Sequence, residues 1–282
     1  MSKEEGDTMG FIVIDEEHCK KDGLCAIECP AVIIRVNKET GFPEMVPGGE
    51  ERCLLCGHCV AVCPHGALTH KHCPREECPP IDPKLALTEQ QAEQFLRSRR
   101  SIRHYQDKPV EREKIQRLIE IARYAPTGSN SQLVHWLVID DKKRIKELAG
   151  LTVDYYRCLL REEPAAASYA SLPRAIAAWD AGYDAVLRSA PALVVASAPQ
   201  EAYNGMVDVT LALCYLELMA PVLGLGTCWA GMLQRALRAA PGVKEALGIP
   251  AGHPHHYPMM LGYPKVKFYR LPQRKPPRIT YR

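Results

Sequence analysis

Nine of the chain's 12 cysteines lie before residue 79, spaced as metal ligands rather than as disulfide partners. Cys53, Cys56, Cys59 and Cys63-Pro64 form a C-x2-C-x2-C-x3-C-P run. Three thiolates so close together can wrap one iron–sulfur cubane, while the fourth, followed by proline, points away toward a second. A zinc ribbon would instead separate two C-x2-C pairs by a long spacer. The run repeats an earlier one, Cys19, Asp22, Cys25 and Cys29-Pro30, in which Asp22 stands where the later copy has Cys56. A carboxylate there can bind the fourth iron as a harder ligand, giving a [4Fe-4S] cluster; the alternative is a [3Fe-4S] cluster or none. We read Asp22 as a ligand.

A second set of residues suits a phosphorylated, flat cofactor. Arg99-Arg100-Ser101-Ile102-Arg103 packs three guanidiniums and a hydroxyl into five positions, and guanidinium grips phosphate bidentately. The loop Pro126-Thr-Gly-Ser-Asn130-Ser-Gln132 is rich in amides and backbone donors. Leu225-Gly-Thr-Cys-Trp229-Ala230-Gly231 is a small-residue turn that lets backbone approach a ring.

The elements that must hold these residues follow from pattern. Short strands are expected at Val32–Val36 and Ala67–Thr69, then a Pro-rich connector from Cys73 to Pro83. Thr88 with Gln91 forms a capping box for a helix Glu89–Arg97. Helices are also expected at Glu111–Ala125, Lys142–Ala149 and Asp208–Leu223, the last apolar nearly all round and therefore central. Strands are expected at Val134–Ile139, Ala192–Ala198, Thr227–Ala230 and Pro258–Leu261. Tyr155–Trp179 reads as a partly helical excursion, and the Pro- and Arg-rich Tyr269–Arg282 as an arm lying across another surface. The fold class is α+β, with a small Cys-rich domain at 1–80 and a larger sandwich at 81–282.

Residues 10–72 resemble a bacterial two-cluster ferredoxin. The resemblance implies that one cluster takes Cys19, Asp22, Cys25 and Cys63, and the other Cys29, Cys53, Cys56 and Cys59. Cys73 and Cys78 fall outside it and read as thiols buried in the connector, with ligation of some further group as the alternative. Residues 88–282 resemble a nitroreductase-like flavoprotein, carried by the Arg-Arg-Ser-x-Arg start, the Pro-x-x-x-Asn-x-Gln loop, Gly-Leu-Gly-Thr-Cys-Trp and the late Arg274-Lys275-Pro276. That resemblance implies FMN at the interface of an intertwined homodimer. Arg99, Arg100, Ser101, Arg103 and Arg274 would serve the phosphate, ribityl chain and pyrimidine edge, and Asn130 and Gln132 would meet the ring from the partner. Trp229, Ala230 and Gly231 would face it with backbone near N5. Leu133-Val134 replaces the Pro-Trp that many members carry after the loop glutamine.

Composition excludes other classes. With 46% apolar and 24% charged residues the chain has the balance of a globular protein. A net charge of +3 without a basic run gives nucleic-acid binding no support. The uncharged stretch Leu218–Leu233 is too short and too broken to span a bilayer, and Met1–Gly10 lacks the apolar core of a leader, so a cytoplasmic protein is expected. His253, His255 and His256 read as solvated surface; His58 and His65 read either as surface or as donors to a cluster sulfur. Cys158, Cys214 and Cys228 sit in apolar settings and read as packing thiols. The expected activity is an oxidoreductase carrying electrons from a low-potential donor through two clusters to FMN and on to a small electron-poor acceptor such as a nitroaromatic or quinone. The alternatives are direct oxidation of NAD(P)H at the flavin, or a non-catalytic electron carrier or redox sensor. The acceptor pocket is expected among Tyr155–Trp179 and Tyr203-Asn204-Gly205, and no catalytic side chain is assigned.

Overall fold

The computed structural model describes residues 10–282; the leader reading of Met1–Gly10 therefore falls, but for Gly10, outside the described residues. The chain divides into two units, one ending at Ala86 and one spanning Leu87–Arg282. The division falls just ahead of the Thr88 cap rather than at 80/81, because the connector adds a short turn at Pro83–Leu85 before the larger unit begins.

In the first unit β1 (Ile12–Ile14) pairs antiparallel with a strand from its far end, and α1 (Leu24–Ile27) follows the first two repeat positions and carries the third, Cys25. β2 (Ile34–Val36) and β3 (Pro43–Met45) form a hairpin, and α2 (Gly49–Arg52) leads into the second copy. α3 (His58–Ala61) is the counterpart of α1, and β4 (Leu68–His70) closes onto β1. The repeat is a repeat of backbone as well as of sequence. Gly23 and Gly57 begin the two helices at φ 72° and 70°, Lys21 and Leu55 precede them at 57° and 51°, and Val32 and Gly66 follow at 52° and 58°. Left-handed conformations cost a non-glycine residue about 1 kcal/mol, so their recurrence 34 positions apart means the same loop is imposed twice. A small core of Cys25, Ile33, Ile34, Val60 and Leu68 holds it.

The second unit is a four-stranded antiparallel sheet with helices on both faces. α4 (Glu89–Ser98) carries the expected capping box, with Thr88 Oγ1 accepting from the Gln91 N–H and the Gln91 side chain accepting from the Thr88 N–H. α5 (Arg112–Ala122), β5 (His135–Ile139), α6 (Lys142–Glu162), α7 (Ser171–Asp180), β6 (Ala192–Ala198), α8 (Gly205–Met219), β7 (Gly226–Trp229), α9 (Gly231–Ala239), α10 (Pro241–Leu247) and β8 (His255–Gly262) follow. The strand order is β5-β6-β8-β7. Period-two alternation sorts the buried β6 strand between two cores. Leu193 and Val195 pack with Leu148 and Val153 of α6 and Leu233 of α9. Ala192, Val194 and Ala196 pack with Leu118 of α5 and Leu213 of α8.

Three expectations change. The helix expected to stop at Ala149 runs on to Glu162, because Val153 and Tyr156 are buried and Thr152 returns its hydroxyl to the Leu148 carbonyl at 2.8 Å. Tertiary packing here overrides the weak helix propensity of β-branched residues. α9 and α10 were not anticipated, nor were β1 and β3. His256 is not solvated surface but 4% exposed, with Nδ1 3.3 Å from Gln234 Oε1.

Burial, reinforced by Lys244, Arg238 and His255, lowers the His256 pKa to about 4. The unfolded chain then binds a proton that the folded chain refuses between about pH 6.5 and 4. Stability should be full above pH 6.5 and fall as the pH drops through that window, by up to roughly 3 kcal/mol. Urea melts at pH 7 and 5 should show a shallower loss for His256→Gln than for the native chain; equal slopes would remove His256 from the account.

By length and composition α8 with its following turn, Gly205–Leu223, is apolar enough to cross a bilayer, at mean hydropathy 1.7. In the fold it packs on β6, β8 and α5, and its two carboxylates, Asp208 and Glu217, are buried and paired. Those are the properties of a core helix.

Candidate functional site

The Cys-rich unit holds two cavities, and each draws on both copies of the repeat. Cys29, Cys53, Cys56 and Cys59 line one, closed by Ile33, Met45 and His70 among others. Cys19, Asp22, Cys25 and Cys63 line the other, with Lys20, Lys21 and His65 at its wall. Electrostatics separates the same two groups. Burial and then the neighbouring Cys56, Cys53 and Cys29 thiols push Cys59 up to about 12. Burial likewise raises Cys25, with Cys63 and Cys19 adding to it. Four thiolates cannot share such a space unless a cationic group neutralises them, so this donor set fits an iron–sulfur cluster. Among the described residues no set of three or more His, Cys, Asp or Glu closes on a single metal ion.

Asp22 lies in the second cavity, one oxygen accepting from the Leu24 N–H at 3.1 Å and the other 3.7 Å from His65 Nε2. Its carboxylate thus sits where Cys56 sits in the other copy. Neither His58 nor His65 reaches a sulfur: His58 Nδ1 lies 3.4 Å from the Cys56 carbonyl. His70, not anticipated, does. Its Nδ1 accepts from the His72 N–H at 3.0 Å, which leaves the proton on Nε2, 3.6 Å from Cys53 Sγ. A buried N–H aimed at a ligand sulfur withdraws charge from it.

In the larger unit the segment bearing Arg99–Arg103 lies along β7. Its Ile102 N–H donates to the Thr227 carbonyl at 2.8 Å, and a Cβ on Gly226 would stand 2.3 Å from Ile102, so only glycine permits this approach. Arg99 turns inward and pairs with Glu217 at 2.9 Å; the other Glu217 oxygen accepts from Trp229 Nε1 at 3.0 Å. Arg100 donates to the carbonyls of Arg97 and Arg99 at 2.8 and 2.6 Å, while Arg103 is exposed and Ser101 lies close to Cys228. Trp229 meets Tyr257 edge-on at 5.0 Å. The Ala230 N–H donates to the Pro258 carbonyl at 3.0 Å, and α9 then opens at Gly231 without a side-chain cap, so its N–H groups from Gly231 onward remain available to a ligand. These free donors beside exposed guanidinium fit the edge and phosphate of a flavin nucleotide.

The amide loop is elsewhere. Ser129, Asn130 and Gln132 have φ of 51°, 54° and 51°, strain of a kind that concentrates at functional sites. Asp208 accepts from the Gly128 N–H at 3.1 Å, and Thr127 Oγ1 from the Gln132 N–H at 3.0 Å. Asp208 is nine residues before Glu217, which puts this loop about 13 Å along α8 from the Arg99–Trp229 pair. Arg274 is exposed on the arm following β8, and the whole of Tyr269–Arg282 is exposed. One chain therefore assembles Arg99, Ser101, Trp229 and Ala230, with Asn130 and Gln132 standing apart from them along α8.

The aromatic residues of the excursion divide. Tyr156 is buried, its hydroxyl donating to the Met232 carbonyl, and Trp179, half-buried, packs against the core. Tyr155 lines a cavity with Gly231, Gln234, Arg235, Arg238 and Tyr257, and Tyr169 is exposed with Arg235 over its ring. Glu217 and Asp208 escaped sequence reasoning, though two lone carboxylates in an apolar helix were a usable signal, since a buried charge needs a partner.

The fold agrees with comparisons to known proteins. Residues 96–263 match the Nitroreductase family, and residues 11–64 match a 4Fe-4S dicluster domain. A relative from Archaeoglobus fulgidus, provisionally named an NADH dehydrogenase/NAD(P)H nitroreductase, is 30% identical over 66% of this chain and 94% of its own. An NADH-quinone oxidoreductase subunit I of Streptomyces coelicolor is 39% identical over 22% of this chain and 39% of its own. A solved nitroreductase with bound FMN from Bacteroides fragilis shares the fold at TM-score 0.55 and 21% identity, covering 69% of this chain and 99% of that one. The chain is an oxidoreductase unit joined to an iron–sulfur unit. It belongs to the nitroreductase family and carries a 4Fe-4S dicluster domain ahead of the family's own region.

Proposed function

We propose that this protein is an FMN-dependent reductase fed by its own iron–sulfur domain, passing electrons from a low-potential donor to a small electron-poor acceptor of nitroaromatic or quinone type. The observation that carries this is the pair of cavities, each walled by four ligand-competent side chains, in the same chain as a nitroreductase-family unit. Cys29, Cys53, Cys56 and Cys59 would hold one cluster, and Cys19, Asp22, Cys25 and Cys63 the other. Clusters move single electrons and FMN exchanges one or two, so together they convert a one-electron supply into two-electron reduction. Arg100, Arg103 and Arg274 would neutralise the phosphate, and the N–H groups opening α9 from Gly231 onward would face the ring. Glu217 fixes Trp229 and Arg99 and keeps both from collapsing into the site.

The active unit in this proposal is a homodimer. Val207, Leu211, Tyr215, Leu218 and Val222 recur at helical spacing on one side of α8 and its following turn, and three of them are at least 40% exposed. Antiparallel pairing of two such helices would bring the Asn130–Gln132 loop of one chain toward the Arg99–Trp229 end of the other, closing the 13 Å gap left within a chain.

The test is an anaerobic preparation with iron, sulfide and FMN measured per chain, then mixed with reduced viologen and with NADH in parallel. Prompt flavin bleaching by viologen and not by NADH is expected. Direct bleaching by NADH would favour the second reading, which the name of the Archaeoglobus relative supports. At the second cavity, Asp22→Cys should retain four irons there and change the cluster's potential and spin signature. A three-iron signal from native protein reconstituted with excess iron would refute Asp22 as a ligand.

A further inference from the structure

Cys73 and Cys78 belong to neither cavity, yet their sulfurs are 3.4 Å apart. The Cys-Pro-Arg-Glu-Glu-Cys segment makes this contact by folding on itself. The Cys73 N–H donates to the His70 carbonyl at the end of β4, and a single turn at Arg75–Glu77 returns Cys78, whose N–H donates to the Arg75 carbonyl. Both thiols are partly exposed, so a small molecule can reach them. The Cys73 sulfur also lies against Gly57, where an added Cβ would stand 2.9 Å from it, and Gly57 directly follows Cys56. Two partly exposed thiols thus touch each other and abut the backbone of a residue lining the Cys29–Cys59 cavity.

We propose that Cys73 and Cys78 are a redox-active dithiol that reduces low-molecular-weight disulfides. One thiolate attacks a disulfide RSSR, forming a mixed disulfide and releasing RS⁻. The other displaces the second RS⁻, leaving a Cys73–Cys78 disulfide, for which the sulfurs need only close to about 2.05 Å. Two electrons arriving singly past Cys56 and Gly57, with two protons from solvent, reopen it to the dithiol. The sum is RSSR + 2e⁻ + 2H⁺ → 2RSH, with electrons from the low-potential donor. This supply rests on the reading of Cys29, Cys53, Cys56 and Cys59 as cluster ligands.

The test uses the full-length holoprotein under anaerobic conditions. Equilibration with reduced and oxidised glutathione mixtures, acid quenching and alkylation should protect Cys73 and Cys78 together in one two-electron transition, with iron per chain unchanged. With reduced viologen as donor, native protein should reduce oxidised glutathione at least tenfold faster than Cys73→Ser or Cys78→Ser, both of which keep full iron. Independent alkylation of the two thiols, or native rates in either variant, overturns the proposal. Loss of iron in the variants also overturns it, by making the two residues ligands. Native protein lacking iron would instead refute the cluster reading, while the alkylation pattern still decides whether the dithiol exists.

Discussion

A mixed dimer of an Arg103→Ala chain with an Asn130→Ala/Gln132→Ala chain should recover FMN in one of its two sites. Each homodimeric variant should purify with little flavin, because each damages both of its sites. In the mixed species one site receives both lesions and the other receives none, provided the arginine segment of one chain serves the amide loop of the other. The fold motivates this expectation: within one chain the Asp208-anchored loop and the Glu217-anchored Arg99–Trp229 pair stand about 13 Å apart along α8. Co-expression with two affinity tags, followed by flavin counting in doubly selected dimers, reads the result. Half occupancy is expected; occupancy no higher than in the parent variants would place the whole site within one chain.

Glu217→Ala should be the most damaging single substitution in the larger unit. Glu217 is 6% exposed at its side chain and satisfies both the Arg99 guanidinium and the Trp229 indole. Its removal strands a mostly buried cation and an indole N–H, a loss of about 2–4 kcal/mol. For a unit of this size that corresponds to roughly 5–15 °C in melting temperature. Flavin content should fall as well, since Trp229 and the backbone at Ala230 lose their brace. Glu217→Gln keeps an acceptor for the indole and should recover a large part of the stability. A melting temperature within about a degree of native for Glu217→Ala would show the network to be idle.

The cysteine spacing made the grouping of side chains around the two cavities legible, because a cluster demands its ligands at short, fixed separations, though not the strands β1 and β3 that frame them. The Arg99–Arg103 run, the Asn130 loop and the Trp229 turn were legible as separate motifs. How they relate in space was not, because that depends on Glu217 and Asp208, whose partners Arg99 and Gly128 are 118 and 80 positions away in sequence. Helix ends failed where packing outweighed propensity, as at Thr152 and Val153 in α6. The histidines failed for a related reason. His256 sits in a polar, Pro-rich run that looks like surface, but alternation along β8 turns its side chain inward to Gln234.

The pairing of β1 with β4 has a consequence for biosynthesis. Ile12 meets His70 across nearly the whole first unit, and each cavity takes walls from both copies of the repeat. During translation the first three cavity residues of one site, Cys19, Asp22 and Cys25, emerge long before Cys63 completes their set. Cys29 likewise waits for Cys53, Cys56 and Cys59. The last members of the two sets, Cys59 and Cys63, then appear within one helical turn of each other. On the proposed ligand sets, metal delivery to the nascent chain would be close to all-or-none: a chain stalled before residue 53 could complete neither site, and one released past β4 could complete both at once.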